Sequence, residues 1–338
     1  MGTIGYAAMF EQFTPSDLLR WSQQAEAAGF GAIMASDHFN PWTPQQGQAG
    51  FVWSWLGALG ATTRHVTFGT GVTAPGFRYH PAILAQAAAT LAAMFPGRFY
   101  LGIGAGEALN EHVVGHYWPE APVRLQILEE SVEVIRRLFS GKTTKHYGQY
   151  FKVEDAKLWT LPQTPPPIYI ATSGPVNSER TGRIADGIIT VGAADDKIQM
   201  LLGRFEKGAR EAGKDPARMK RIIQLHVSYA ATPEAAVAQA VREWPNGGMA
   251  FPKADIRHPE DFEQMAKIVR AENFQGRVFM SADLGAHLAH IQHYIDMGFD
   301  EVDVHNVGRN QEEFIQGYAR AVLPRLRWPQ KAATPSRP

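Results

Sequence analysis

Ala35-Ser36-Asp37-His38-Phe39-Asn40-Pro41-Trp42 sets a carboxylate beside an imidazole, with an indole four residues further on. That combination suits a site where a proton moves next to a flat ligand, since His titrates near neutrality and can serve as a base. A loop in which Asp37 caps the next segment and His38 packs by chance would use the same residues. Five further stretches weigh against that plainer reading: Glu11-Gln12-Phe13, Thr70-Gly71-Val72-Thr73-Ala74-Pro75, Gly104-Ala105-Gly106-Glu107-Ala108-Leu109-Asn110, Ala171-Thr172-Ser173-Gly174-Pro175-Val176 and Thr190-Val191-Gly192-Ala193-Ala194. Each follows an apolar run, as residues 35–42 do. A lone Glu at a helix start is usually a dipole-favoured cap. Two Glu, one His and one Asp at four equivalent places point instead to acid–base work, led by His38 and Glu107. Two of these turns are rich in Gly or hydroxyl residues and lead into helices, where free N–H groups attract phosphate. Gly104-Ala105-Gly106 lacks the third glycine of a dinucleotide fingerprint, so a Rossmann reading is weak.

Strands and helices must alternate to carry these turns. Residues 4–8, 30–34, 65–72, 98–103, 167–171, 187–191, 222–228 and 301–305 read as eight short apolar strands. Helical spacing lies between them, as after the Thr14-Pro15-Ser16-Asp17 cap, over 49–62, over 81–95 and over 310–326. Eight alternating units predict a closed (β/α)8 TIM barrel over 1–327, whose functional residues gather at the C-terminal ends of the strands. Residues 107–166 and 244–280 exceed a helix connection and predict insertions, and 328–338 reads as a flexible Pro-rich tail. His287, His290 and His293 recur along one helix without a carboxylate partner, which reads as an exposed face and not a metal site.

The 338 residues are 45% hydrophobic and 20% charged, enough for a large core. Lys+Arg and Asp+Glu both number 33, so no basic field recruits nucleic acid or anionic membrane. The chain has no cysteine, which excludes disulfides, thiolate zinc sites and a Cys nucleophile. It has no apolar run of membrane-spanning length and starts directly on a strand-like segment, which together predict a soluble cytoplasmic protein.

Ser-Asp-His-Phe-x-Pro-Trp at 36–42, Gly-Thr-x-Val at 69–72, Phe-Arg-Tyr-His-Pro at 77–81 and Gly-Glu-Ala-Leu-Asn-Glu at 106–111 share one order and spacing. Together they resemble the glucose-6-phosphate dehydrogenases that use the deazaflavin coenzyme F420, within the luciferase-like superfamily of barrels. The resemblance runs from about Gly5 to Leu326. It implies that Asp37, Gly106 and the non-prolyl Gly71-Val72 peptide, cis in that family, hold the deazaflavin, with Ala105 and Asn110 beside them. Ala171, Thr172, Ser173 and Gly174, with Thr190, Val191 and Gly192, would cradle the coenzyme's phosphate and tail. His38 would take the substrate hydroxyl proton as hydride leaves for C5, Glu107 would serve the ring nitrogen, and Trp42 and Glu11 would flank the reacting carbon. The family grips sugar phosphate with three cations; here Lys253 and Arg277 match two, and Ala193 stands where Lys is expected. Ala105 and Gly71 also replace hydroxyl residues.

These readings predict an F420-dependent oxidoreductase acting on an alcohol or sugar-phosphate carbon, with poor use of glucose-6-phosphate because of Ala193. The alternatives are a reductase passing hydride from reduced F420 to a ketone, imine or nitroaromatic, and an FMN-dependent monooxygenase of the same superfamily. A non-catalytic flavin carrier would not need His38, Glu107 and Trp42 together, and no nucleophile set supports a hydrolase. The resemblance and the aromatic segment 49–62 predict a homodimer.

Overall fold

A computed structural model describes residues 2–329. Eleven strands are formed: β1 Thr3–Ala8, β2 Ala32–Ala35, β3 Thr67–Thr70, β4 Phe99–Ile103, β5 Thr144–Tyr147, β6 Lys152–Ala156, β7 Ile168–Ala171, β8 Gly187–Val191, β9 Lys220–Tyr229, β10 Val278–Ser281 and β11 Glu301–Asn306. Eight of them close on themselves in the order β1-β2-β3-β4-β7-β8-β9-β11, every neighbouring pair parallel. This is the (β/α)8 barrel that the alternation predicts, built from the same eight apolar runs. Strand ends differ from the sequence reading by at most two residues, as element boundaries commonly do.

Caps and apolar stripes account for the helices. Thr14 Oγ1 accepts from the Asp17 N–H, and Pro15 occupies the first position of Pro15–Ala27. Pro81–Met94 buries Leu84, Ala85, Ala88, Leu91 and Ala92 at three- and four-residue spacing, the stripe that packs on a sheet. The main core is a large shell between strands and helices, with a second cluster around Trp42, Trp244 and Phe262 and a small one of Met34, Tyr100, Ile189 and Ile222.

Both long connections contain structure. Residues 107–166 hold the helix Ala121–Phe139 and an antiparallel β5–β6 hairpin outside the barrel. Residues 244–280 hold the helix Pro259–Ala266 and end in β10, which pairs with β9 beyond the point where β8 leaves it. That ninth strand was not legible as one. The exposed histidine face is also corrected: His287 is buried, bonded to the Tyr318 hydroxyl at 2.8 Å and near the Ser281 carbonyl at 3.1 Å, and only His293 is exposed, with a carboxylate partner in Asp195 at 2.8 Å. The tail expected over 328–338 lies outside the described residues beyond Pro329, and Trp328 packs against the core. No helix of the described residues is long and apolar enough to cross a membrane.

Candidate active site

The C-terminal ends of the strands surround a cavity of about 430 Å³. β1 leads to Glu11, β2 to Asp37, His38 and Trp42, β3 to Gly71 and Val72, and β4 to Ala105, Gly106, Glu107 and Asn110, all on its wall. Ala171, Thr172 and Ser173 after β7, and Thr190 and Val191 of β8, complete it. A second cavity of about 470 Å³ shares Ser173, Thr190, Val191 and His226 with the first and adds Gly192, Ala193, Lys197 and Arg277. Gly174 and Lys253 line neither. Gly174 caps the helix Pro175–Ile184, and Lys253 lies over the Trp42 ring, its Nζ bonded to the Asn246 carbonyl at 2.9 Å and 5.8 Å from the ring centroid.

Glu11 is fully buried and held at both oxygens, by the Ser36 hydroxyl at 2.6 Å and the Trp42 indole N–H at 3.3 Å. His38 Nε2 lies 3.9 Å from the same carboxylate. On the other side of the ring, His38 Nδ1 is 3.0 Å from the Asn40 carbonyl. The Asn110 amide nitrogen lies 3.2 Å from the same Nδ1, so an acceptor and a donor together fix the ring's position, with Nε2 turned towards Glu11. Asn110 steadies this loop, its amide oxygen accepting from the Phe39 and Asn40 N–H groups at 2.9 and 3.2 Å.

Asp37 has both oxygens engaged, accepting from Thr73 Oγ1 at 2.6 Å and from Arg78 and Tyr79 at 3.2 Å each. Arg78 also meets Glu111 through Nε at 2.9 Å and its backbone N–H at 3.2 Å. Burial opposes the Arg78 charge, but Asp37 and Glu111 outweigh it and raise its pKa. Burial raises the Glu111 carboxyl even so, with Arg78 opposing. Geometry settles the pair as ionised, because guanidinium does not deprotonate in proteins. Glu107 is raised by burial, against the pull of His38 and Lys253 and with help from Glu11 and Glu111. Lys253 is lowered, mainly by burial.

The wall also carries residues that the sequence reading did not single out for the site: Arg78, Glu111, Gln224, His226 and Trp244. Arg78 and Glu111 belong to two of the motifs quoted above, so their pairing had a local trace. Gln224 and His226 had another, as polar residues inside the apolar run Ile222–Val227.

Several features suit a phosphate-bearing flat coenzyme. A Cβ on Gly104 or Gly106 would come 2.8 Å from Val72 or 2.9 Å from Ala74, so the backbone packs closely on the wall where only glycine fits, and Gly106 has φ +79°. The Gly71–Val72 peptide is cis. The helix Pro175–Ile184 has no side-chain cap, leaving first-turn N–H groups for an anion, and Thr190 Oγ1 is buried without a partner.

Residues 2–301 match the luciferase-like monooxygenase family model. An F420-dependent glucose-6-phosphate dehydrogenase of Microbacterium testaceum is 39% identical, covering 96% of this chain and 97% of that protein. Its counterpart in Nakamurella multipartita is 38% identical over 96% of each. Among solved structures, an F420-dependent secondary alcohol dehydrogenase in complex with an F420-acetone adduct superposes with a TM-score of 0.92 at 32% identity, covering 97% of this chain and all of that one. The F420-dependent tetrahydromethanopterin reductase of Methanopyrus kandleri shares the fold at TM-score 0.81 and 20% identity. With its barrel, its motifs and its full-length relatives in agreement, the chain belongs to the luciferase-like monooxygenase family.

Proposed function

We propose that this F420-dependent oxidoreductase oxidises an alcohol carbon with His38 Nε2 as the base. The observation that carries this reading is the fixed His38 ring, held at Nδ1 by Asn40 and Asn110 and with Nε2 turned to the bonded Glu11 carboxylate. F420, when bound, supplies a hydride acceptor at C5 of its deazaflavin ring. As the carbinol C–H departs as hydride, the O–H proton passes to His38 Nε2 and the carbon–oxygen double bond forms. Glu11 then faces an imidazolium at 3.9 Å and stabilises it. Glu107, whose raised carboxyl favours the protonated form, is the group suited to supply a proton to the ring nitrogen. Trp42 walls the reacting carbon. Asp37, Gly71, Val72, Ala105, Gly106 and Asn110 hold the ring. Residues 171–174 and 190–192 hold the phosphate and tail, a role supported by the uncapped helix and by Thr190.

The substrate is a small molecule, an uncharged alcohol or a sugar phosphate shaped differently from glucose-6-phosphate. Ala193 supplies no cation; Arg277 and Lys197 share the second cavity, and Lys253 lies over the Trp42 ring. The protein works as one catalytic domain over 1–327, in the cytoplasm and as a homodimer. The dimer is supported by Phe51, Ile83 and Met94, all exposed near the helices Val52–Thr62 and Pro81–Met94, although Trp55 and Leu56 of the aromatic segment are core residues.

Titration of the purified protein with F420 and with FMN tests the coenzyme, followed by F420 reduction with alcohols and sugar phosphates. Tighter F420 binding and reduction by an alcohol are expected. Equal or better FMN binding would overturn the proposal.

A further inference from the structure

β9 turns one face into the barrel at alternate residues. Ile222 sits in the interior cluster with Met34 and Tyr100, and Gln224 and His226 continue that face up to the mouth, where both line the first cavity. Neither is used by the proton transfer described above. Gln224 is 8% exposed, and its amide nitrogen meets only the Met9 sulfur at 3.5 Å. Its amide oxygen has no partner among the described residues. The amide oxygen therefore opens to the cavity as a free acceptor, which a ligand hydroxyl can use.

His226 is prepared by a relay. The buried Gln12 donates its amide N–H groups to the Glu243 and Val307 carbonyls, both at 3.1 Å, so its oxygen must accept. It accepts from His305 Nε2 at 2.7 Å, which leaves His305 Nδ1 bare. That nitrogen is 2.9 Å from His226 Nδ1, which must therefore carry the proton. The remaining nitrogen, His226 Nε2, is a bare lone pair, and this ring lines both cavities. Burial, with Lys253 nearby, holds the imidazole down to a pKa of about 4, so it stays neutral near pH 7. Trp244 packs against both rings, 5.4 Å from His226 and 4.5 Å from His305. An alkyl group cannot satisfy such an acceptor, whereas a hydroxyl can.

We propose that Gln224 and His226 form a hydroxyl-recognition pair in the cavity that holds His38, so that the preferred substrate carries a second hydroxyl beside the oxidised carbinol. The substrate class is then an uncharged vicinal diol or polyol. Gln12 and His305 are positioning residues that fix the His226 tautomer. This inference rests on the alcohol oxidation proposed above and adds the substrate class to it.

The test assays F420-loaded protein with skeleton-matched pairs, cyclohexanol against trans-cyclohexane-1,2-diol and 2-butanol against 2,3-butanediol. A site built to bond a hydroxyl discriminates strongly against its absence, so the diol of each pair should have a kcat/KM about tenfold higher or more. His226→Leu should collapse that ratio, chiefly through the diol's KM, and His226→Asn, which keeps an acceptor, should restore part of it. His305→Phe should lower the ratio with His226 intact. If His226→Leu does not fold, Gln224→Met gives the same readout. Equal kcat/KM within the pairs, or a ratio that survives these substitutions, overturns the inference and leaves the alcohol reading standing. A His226→Leu variant that loses F420 affinity with the ratio unchanged also overturns it, by making the histidine a coenzyme contact. F420 binding without turnover of any alcohol would overturn the alcohol reading, and the inference with it.

Discussion

Buried carboxylates occupy both ends of this barrel, and the two ends satisfy them differently. At the mouth, Glu11, Asp37 and Glu111 have every oxygen bonded, by Ser36 and Trp42, by Thr73, Arg78 and Tyr79, and by Arg78 again. Towards the N-terminal end, Glu301 meets Lys220 at 3.0 Å through one oxygen, but its other oxygen and both oxygens of Asp303 have no donor. The Tyr100 hydroxyl is buried there without a partner as well. Burial, with Glu301 adding to it, holds the Asp303 carboxyl well above its usual range. A proton on Asp303 makes it a donor to Glu301 and removes two unpaired acceptors from each other's field. Room for this side chain comes from Gly5, where a Cβ would lie 1.8 Å from Asp303 Oδ1. Apart from Glu107, whose carboxyl is raised by burial, the mouth therefore stores oriented charge, which electrostatic catalysis needs in place before substrate arrives. The floor stores a proton, which is how a buried carboxyl without donors survives.

Removing the mouth's cation should have the largest effect. Arg78→Met strands Asp37 and Glu111 and should lower unfolding stability by about 3–5 kcal/mol, read by urea denaturation. A loss below about 1 kcal/mol would mean that the mouth is not organised by this pair. His38→Ala should lower kcat by roughly 10²-fold or more with F420 affinity nearly unchanged. If affinity falls and turnover survives, His38 binds the ring and is not the base.

The barrel itself was legible, because each of its eight strands is a short apolar run bounded by Gly, Pro or polar residues. β10 was not, since Val278–Ser281 is four residues long and follows the polar Gln275-Gly276-Arg277. The β5–β6 hairpin alternates exposed polar residues and carries no continuous apolar run. At the site, His38, Glu107 and their turns announced themselves by residue type. The Arg78–Asp37–Glu111 network and the Gln12–His305–His226 relay did not, because contacts across 33 to 293 residues leave no local periodicity. His287 misled for the opposite reason. Its helical spacing was read correctly, but the bond to Tyr318 that draws it inside is visible only in three dimensions.

Smaller effects separate the two ends further. Ala193→Lys would add a cation to the cavity that holds Arg277 and Lys197, and should lower the KM for glucose-6-phosphate about tenfold. An unchanged KM would mean that this cavity does not receive the phosphate. Asp303→Asn is expected to matter least, by about 1 kcal/mol. Between the ordinary carboxyl pKa and the raised one, the folded state binds more protons than the unfolded state. Wild-type stability should therefore fall as pH rises through that window, and the Asn variant should lose part of this slope, the rest coming from Glu107, Glu111 and Glu301. Parallel stability–pH curves for the two proteins would show that Asp303 does not hold the proton.

The central claim is hydride transfer from an alcohol carbon to F420 at the barrel mouth, with its proton leaving through His38. The best alcohol of the panel, deuterated at its carbinol carbon and oxidised in ordinary water, tests it most directly. The account predicts one deuterium at C5 of the reduced coenzyme, delivered to a single face, with a primary isotope effect if hydride transfer limits the rate. Reduced coenzyme without the label, or oxidation that proceeds with FMN and oxygen in place of F420, would contradict it.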